Sequence, residues 1–405
     1  MSRTFQPLHP ALSRRHLLAG AAAWVASAAI APALGQSLGG FIDTTWSRAR
    51  AKGVSRRTFD AAMGGFRPLD SVLKLSRSQP EFVSTAADYI GKRVTDGNTV
   101  KGRSMRGEWA QTLGAITSRY GVQAEAMLAI WGIETNYGGF MGGTNSVHAL
   151  ASLSYSGYRA DYFGSELITA LQILEAGHVT HDRMVGSWAG AMGHPQFMPS
   201  SFMRYAVDFK GDGREDIWNS VPDALASIAN YLKEHGWRPG ETWGYEVKLP
   251  VQFNYNNVWN KTTASLADWR GLGVRRTNGR DFPRPGDAAR LYMPMGGNGP
   301  VFAVLANFDV IKRYNNSDSY ALAVGHLADR IIGGGTFAAP WPKDTALNKS
   351  DRQQVQTLLL RRGYDIGSPD GIIGPKTRAA VIDWQSRSGL VADGHVSGRL
   401  LDSLS

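Results

Sequence analysis

The sequence predicts a mainly α protein of the α+β class: a helical body, a small β-rich insertion and a C-terminal three-helix module. Three observations carry this. Apolar residues recur at helical spacing from residue 36 to about 240 and again at 319–332. Between about 241 and 310 the pattern changes to short β-prone runs separated by Gly- and Pro-rich turns. Beyond a second Gly- and Pro-rich stretch, residues 347–405 carry three more apolar stripes. The chain has 405 residues, 43% of them hydrophobic and 10% aromatic, enough for the cores of two or three domains. That composition excludes global disorder.

The N-terminal residues 1–35 read as an export signal. Arg14 and Arg15 precede a small-residue apolar run, Ala31-Pro32-Ala33 offers a cleavage site, and no acid occurs before Asp43. The paired arginines suggest the twin-arginine route, with the general secretory route as the other option. No later stretch approaches the ~20 apolar residues of a membrane span. Cysteine is absent, so disulfides, thiol catalysis, Cys-zinc sites and lipidation at Cys are excluded. The expectation is a periplasmic, soluble protein rather than a lipoprotein. The formal net charge is +10, which suits an anionic partner such as wall polymer, lipid or nucleic acid. No nucleic-acid motif is present, and export conflicts with that role.

Residues 36–333 form the main body. "Q-A-E-A-M-L-A-I-W-G-I-E" (123–134) is apolar on nearly every face, which predicts a buried helix. "D-A-L-A-S-I-A-N-Y-L-K-E-H-G" (223–236) predicts an amphipathic helix with Asp223 as N-cap and Gly236 as stop. "Y-E-V-K-L-P-V-Q-F" and "G-P-V-F-A-V-L-A-N-F" predict strands of the insertion. Residues 334–346 are a linker by composition. In 347–405, Val355, Leu358 and Leu359 mark one helix, Thr377, Val381 and Trp384 a second behind Pro375, and Leu400, Leu401 and Leu404 a third.

Three stretches could carry chemistry. Glu134 ends the apolar helix and shares a face with Met127, Ile130 and Trp131. Desolvation there, and the negative end of the helix dipole, would both hold a proton on its carboxyl. A helix-end glutamate facing water fits the stretch alone equally well. "G-S-W-A-G-A-M-G-H-P-Q-F-M-P-S-S-F" (186–202) mixes small residues with amides and hydroxyls and little charge, which suits neutral polar ligands or simply close packing. "D-F-K-G-D-G-R-E-D-I-W-N-S-V-P-D" (208–223) resembles a calcium loop with Asp208, Asp212, Asp216 and Asp223 as ligands. Lys210 stands where a ligand belongs and Asn219 where a bidentate Glu belongs, so a turn held by Asx hydrogen bonds fits as well.

Together the stretches resemble the B-type lytic murein transglycosylases. The matching motifs are "G-I-E-T-N-Y-G" (132–138), "A-L-A-S-L-S-Y" (149–155), 186–201, "D-F-K-G-D-G-R-E-D-I-W" (208–218) and "L-A-N-F-D-V-I-K-R-Y-N-N-S-D-S-Y-A-L-A-V" (305–324). The tail resembles the peptidoglycan-binding module of wall enzymes through "G-Y-D-I-G-S-P-D-G-I-I-G-P-K-T-R-A-A-V-I-D-W-Q" (363–385). The resemblance implies a lysozyme-like catalytic fold and cleavage of the β-1,4 MurNAc–GlcNAc bond of peptidoglycan with 1,6-anhydro-MurNAc ends. It places Glu134 on the catalytic glutamate. It puts Ser187, Gln196, Phe197, Tyr231, Asn307, Tyr314 and Tyr320 along the saccharide cleft, with Tyr89 a further counterpart. No cofactor is required by the reaction, and structural calcium is the one candidate ion. Peptidoglycan glycan strands are the implied partner. The alternatives are a hydrolytic muramidase, which needs a second acid, and a non-catalytic wall-binding scaffold.

Overall fold

A computed structural model of the chain describes residues 37–77 and 84–405. The export signal read at 1–35 lies outside the described residues. The body is built around one helix, Ala124–Thr135, nine of whose twelve residues are buried. That burial is the direct result of its apolar faces: a helix without a polar side must be surrounded. Helices Asp318–Ile331, Asp96–Glu108 and Val221–Glu234 pack around it, and helix Ser146–Tyr155 packs on Ala160–Glu175 beside them. Among the described residues no helix is long and apolar enough to cross a membrane.

Local sequence sets the helix ends. Thr85 and Asp88 form a reciprocal capping box for Ala86–Arg93, and Ser265 with Asp268 and Asn348 with Asp351 do the same for later helices. One cap differs from the sequence reading. The helix Val221–Glu234 is capped by Ser220, whose Oγ accepts from the Asp223 N–H at 3.3 Å. Asp223 lies one turn inside, fully buried. Its carboxylate is drawn away from the cap by three other backbone donors, Phe209, Lys210 and Asp216.

Seven short strands occur in the described chain: β1 Thr144–Asn145, β2 Val185–Gly186, β3 Gly244–Lys248, β4 Thr263–Ser265, β5 Arg275–Arg276, β6 Ala288–Tyr292 and β7 Val301–Val304. β3 to β7 form an antiparallel sheet in the order β4-β6-β7-β3-β5. It has its own core of Val247, Phe253, Leu266, Trp269, Leu291 and Ala303. β1 and β2 pair separately and antiparallel, Thr144 opposite Gly186.

The stretch 334–346, a linker by composition, is packed down at its start. Phe337 stacks on His326 at 3.8 Å between centroids and meets Phe302 edge-on at 4.8 Å. The N–H groups of Ala338 and Ala339 donate to the two carboxylate oxygens of Glu246, each at 2.8 Å. Gly/Pro content reported backbone freedom, and one aromatic plus one carboxylate removed it. Below this strap, Asp329 accepts from Trp243 Nε1 at 3.0 Å, and burial pushes its carboxyl up to about 7. The C-terminal module consists of helices Lys349–Arg361, Pro375–Arg387 and Gly398–Leu404 around Val355, Leu359, Val381, Leu400 and Leu404.

Candidate active site

Glu134 is the penultimate residue of the buried helix Ala124–Thr135. The chain then turns away abruptly, with Asn136 (φ 50°) and Tyr137 (φ 55°) both left-handed. Asn136 is a residue type that caps helices in this region, but Tyr137 resists it, so the turn needs outside support. Tyr137 folds back over Gly132, where a Cβ would lie 2.6 Å from its ring, and its hydroxyl donates to Asn98 O at 3.0 Å. Trp131 Nε1 donates to His194 Nδ1 at 3.0 Å, and Thr135 Oγ1 donates to His194 O at 3.1 Å. The sequence "G-I-E-T-N-Y-G" is thus a set of braces that fix the end of the helix and the glutamate on it.

Gly138 belongs to this set. Its φ is +74°, and a Cβ there would lie 2.3 Å from His194 Cε1. Gly138→Ala is expected to destabilise the fold by about 2 kcal/mol. Urea denaturation of the variant beside the wild type checks this.

The Glu134 carboxyl is part-buried at the helix end. Tyr320, itself fully buried, donates its hydroxyl to Glu134 Oε1 at 2.6 Å. Desolvation raises the Glu134 pKa to about 7, and the Tyr320 hydrogen bond and the Arg93 charge pull against that rise. No carboxylate is among the groups that act on it. Glu166, the nearest buried acid in sequence, is occupied elsewhere. It accepts from Ser200 N at 2.8 Å and Ser200 Oγ at 2.6 Å, holding the start of helix Pro199–Tyr205.

The aromatic residues read from the sequence converge here. Tyr314 lies parallel to Tyr320 at 6.5 Å and donates to Pro195 O at 2.7 Å. Tyr231 is 4.8 Å from Tyr314 and donates to Arg313 O at 2.5 Å. Phe197 packs 5.8 Å from both. Tyr89 lies close enough to Tyr320 to act on its hydroxyl proton, and Arg93 sits over the Tyr89 ring at 5.4 Å. Gln196, left-handed at φ 51°, donates from Nε2 to Met141 O and Gly193 O, each at 3.0 Å. Ser187 stands in the turn after β2, its Oγ accepting from Ala191 N at 3.1 Å. That turn presses against Gly142, where a Cβ would meet Gly186 O at 2.0 Å. Ser187 and Gln196 are therefore joined to the loop that follows Glu134.

Asn307 departs from the sequence reading. It is fully buried, and its amide is used inside the protein: Nδ2 donates to Arg238 O and Glu241 O, and Oδ1 accepts from Arg238 N. It latches two segments and leaves no polar atom for a sugar. Arg93 was missed. It donates from Nη1 to Ile133 O at 3.1 Å, beside the glutamate. Its place four residues after Tyr89, on the same helical face, was the available signal.

The residues of the expected calcium loop do not fit a bound cation. Asp208 accepts from the N–H groups of Gly211, Asp212 and Gly213. Asp216 accepts from Trp218 and Asn219, and Asp223 is closed by its three backbone donors. Lys210 Nζ pairs with Asp212 Oδ2 at 3.1 Å, placing an ammonium where a ligand oxygen would be needed. Among the described residues no group of three acids or histidines could hold a metal ion. Addition of calcium, or of a chelator, is expected to leave Tm unchanged to within about 1 °C, because a ligand stabilises only the state that binds it. Thermal melts in both conditions check this.

A buried helix that delivers one desolvated carboxyl to a tyrosine-walled site is the arrangement of a lysozyme-like glycan-cleaving enzyme. Comparison with known proteins agrees. The transglycosylase SLT domain family matches residues 39–329, and the chain belongs to that family. Residues 348–404 match a peptidoglycan-binding domain. The chain is similar to SltB3 from Pseudomonas aeruginosa, solved in complex with NAG-anhNAM-pentapeptide. The identity is 44%, with 91% of this chain and 100% of that one covered and a TM-score of 0.84. It is 34% identical to the membrane-bound lytic murein transglycosylase B of Escherichia coli (strain K12) over 294 residues, 69% of this chain and 79% of that protein. The E. coli lytic transglycosylase Slt35, solved in complex with calcium, is 33% identical over 72% of this chain and 91% of its own, with a TM-score of 0.61. The Lys210–Asp212 pair marks where this chain's loop departs from a cation site.

Proposed function

We propose that the protein cleaves the β-1,4 bond between MurNAc and GlcNAc in peptidoglycan and closes a 1,6-anhydro ring on the muramyl product. The observation that carries this reading is the solitary Glu134, its carboxyl near pKa 7 and hydrogen-bonded to Tyr320. Protonated Glu134 gives its proton to the leaving glycosidic oxygen as the C1–O bond breaks. The substrate's own 2-acetamido carbonyl stabilises the cationic sugar, as in substrate-assisted glycosidases. Glu134, now a carboxylate, takes the proton from the muramyl C6 hydroxyl, whose oxygen bonds C1. The residue ends protonated, and no water is consumed.

In this reading the half-buried Tyr314 and Tyr89 give the cleft aromatic faces for sugar rings, while the buried Phe197, Tyr231 and Tyr320 support that wall and aim Glu134. Ser187 and Gln196 supply polar contacts at its rim. Export to the periplasm through the signal at 1–35 brings the chain to its substrate, and the basic surface favours approach to a wall bearing carboxylates. Mass spectrometry of digested sacculi tests the reaction. Each transglycosylase product is one water lighter than the product of hydrolysis, and products carrying that water would make the protein a muramidase. Deletion of residues 347–405 is expected to weaken sacculus binding more than it lowers turnover of soluble fragments, measured on the same preparation.

A further inference from the structure

The C-terminal module contains one device twice. Buried Gln356 reaches into the turn Asp370–Gly371–Ile372: its Oε1 accepts from Gly371 N at 2.7 Å, and its Nε2 donates to Asp370 Oδ1 and Ile372 O. Buried Gln385 treats Asp393–Gly394–His395 the same way, accepting from Gly394 N at 2.8 Å and donating to Asp393 Oδ1 and His395 O. Ile372 N and His395 N each donate to their own aspartate Oδ1 at 2.8 Å. Arg352 donates to Gly371 O and Arg378 to Gly394 O. Both glycines are left-handed, and the next helix begins at Pro375 and at Gly398, the same distance beyond each aspartate.

The copies differ at Oδ2. Asp393 Oδ2 accepts the backbone N–H of Gly297, in the β-rich insertion, at 2.7 Å. The Asp393 carbonyl accepts from Trp259 Nε1 at 2.5 Å, and Arg378 lies 3.7 Å from the centre of that indole. Asp393 is 4% exposed. The second turn therefore already holds a peptide N–H beside an apolar group. Asp370 is exposed, and only its Oδ1 has protein donors among the described residues. Ile372 beside it is 65% exposed. Donors from Ile372 N and Gln356 hold the Asp370 carboxyl below its ordinary range, so it is an anionic acceptor at neutral pH. Lys349 acts on it electrostatically, whereas Lys376 in the following helix is paired with Asp365 at 3.2 Å.

We propose that the Asp370–Gly371–Ile372 turn is a peptide-binding site that takes a stem peptide of the wall. Asp370 Oδ2 accepts a backbone N–H of the peptide, Ile372 packs on its adjacent side chain, and Lys349 faces its carboxylates. The proposal rests on the wall-binding reading of the module.

Full-length protein carrying Glu134→Gln, which leaves the wall intact, is titrated with purified sacculi. Asp370→Asn keeps the Oδ1 acceptor and replaces Oδ2 with a donor. Apparent affinity is expected to fall about tenfold, the effect of losing one charge-assisted hydrogen bond. Ile372→Ser, at an exposed position that unfolding cannot explain, is expected to weaken binding in the same direction. Sacculi stripped of stem peptides by an amidase are expected to bind the Asp370-intact protein about tenfold more weakly and to show no further loss with Asp370→Asn. Undiminished binding by both variants overturns the proposal, as does equal binding to stripped and intact sacculi. Failure to bind sacculi at all also overturns it. Sacculus binding by a wild-type chain that releases no anhydromuropeptides would remove the enzymatic reading and leave this one standing.

Discussion

Glu134→Gln is expected to abolish release of anhydromuropeptides from sacculi, with a loss of at least about 10³-fold, while the protein folds and binds wall normally. General acid and general base catalysis each contribute about 10²–10⁴-fold, and here one group supplies both. Glutamine keeps the shape and can still accept from the Tyr320 hydroxyl, which donates to Oε1 at 2.6 Å. It can neither give nor take the proton. Product analysis by liquid chromatography and mass spectrometry reads the outcome, and near-normal release by the variant would remove Glu134 from the mechanism. The wild type carries a related pH signature. The acid must be protonated to begin, so turnover is expected to decline as pH rises through about 7, where the Glu134 proton is lost.

Tyr320→Phe is the second. The hydroxyl stabilises the ionised form of Glu134, so its removal raises the carboxyl pKa further. A hydrogen bond to a charged group is worth about 1.5–3 kcal/mol, and one pKa unit is about 1.4 kcal/mol. The alkaline limb of the pH–rate profile is therefore expected to move up by about one unit. Maximal turnover is expected to fall about tenfold or more, because the weaker acid is also less firmly aimed. A variant that lost rate without moving the limb would show that Tyr320 only packs. Tyr314, stacked parallel to Tyr320 but bonded to Pro195 O, serves as the comparison: Tyr314→Phe should leave the limb in place.

Much of the fold was legible in the sequence because it rests on period. The helix 123–134 had to be buried, the tail showed three apolar stripes, and the change of pattern near 241 marked the sheet. Glu134 stood out for its apolar face but read equally well as a helix end, and the aromatic set was reached only through the resemblance of five ordered motifs. The remainder depended on partners distant in the chain. Asn307 reads as a ligand residue until Arg238 and Glu241 are seen to use its whole amide. The aspartates of 208–223 read as ligands until their backbone donors are counted. The linker reads as free until Glu246, some ninety residues away, takes two of its N–H groups. Composition records what a residue can do, and only the fold decides which of those capacities remain unused.

The buried carboxyls have a consequence for the fold itself. Glu134 and Asp329 both hold their protons up to about 7 because burial disfavours the charge. In the unfolded chain both would ionise near the ordinary carboxylate range. A group whose pKa rises on folding stabilises the native state below its unfolded pKa, and that stability drains away as pH climbs through the native value. Folding therefore takes up protons at these two sites in weakly acidic and neutral solution. The acid at the heart of the reaction thus links the protein's working range to its endurance: a rise in pH up to about 7 loosens the fold, and a rise through it silences the enzyme.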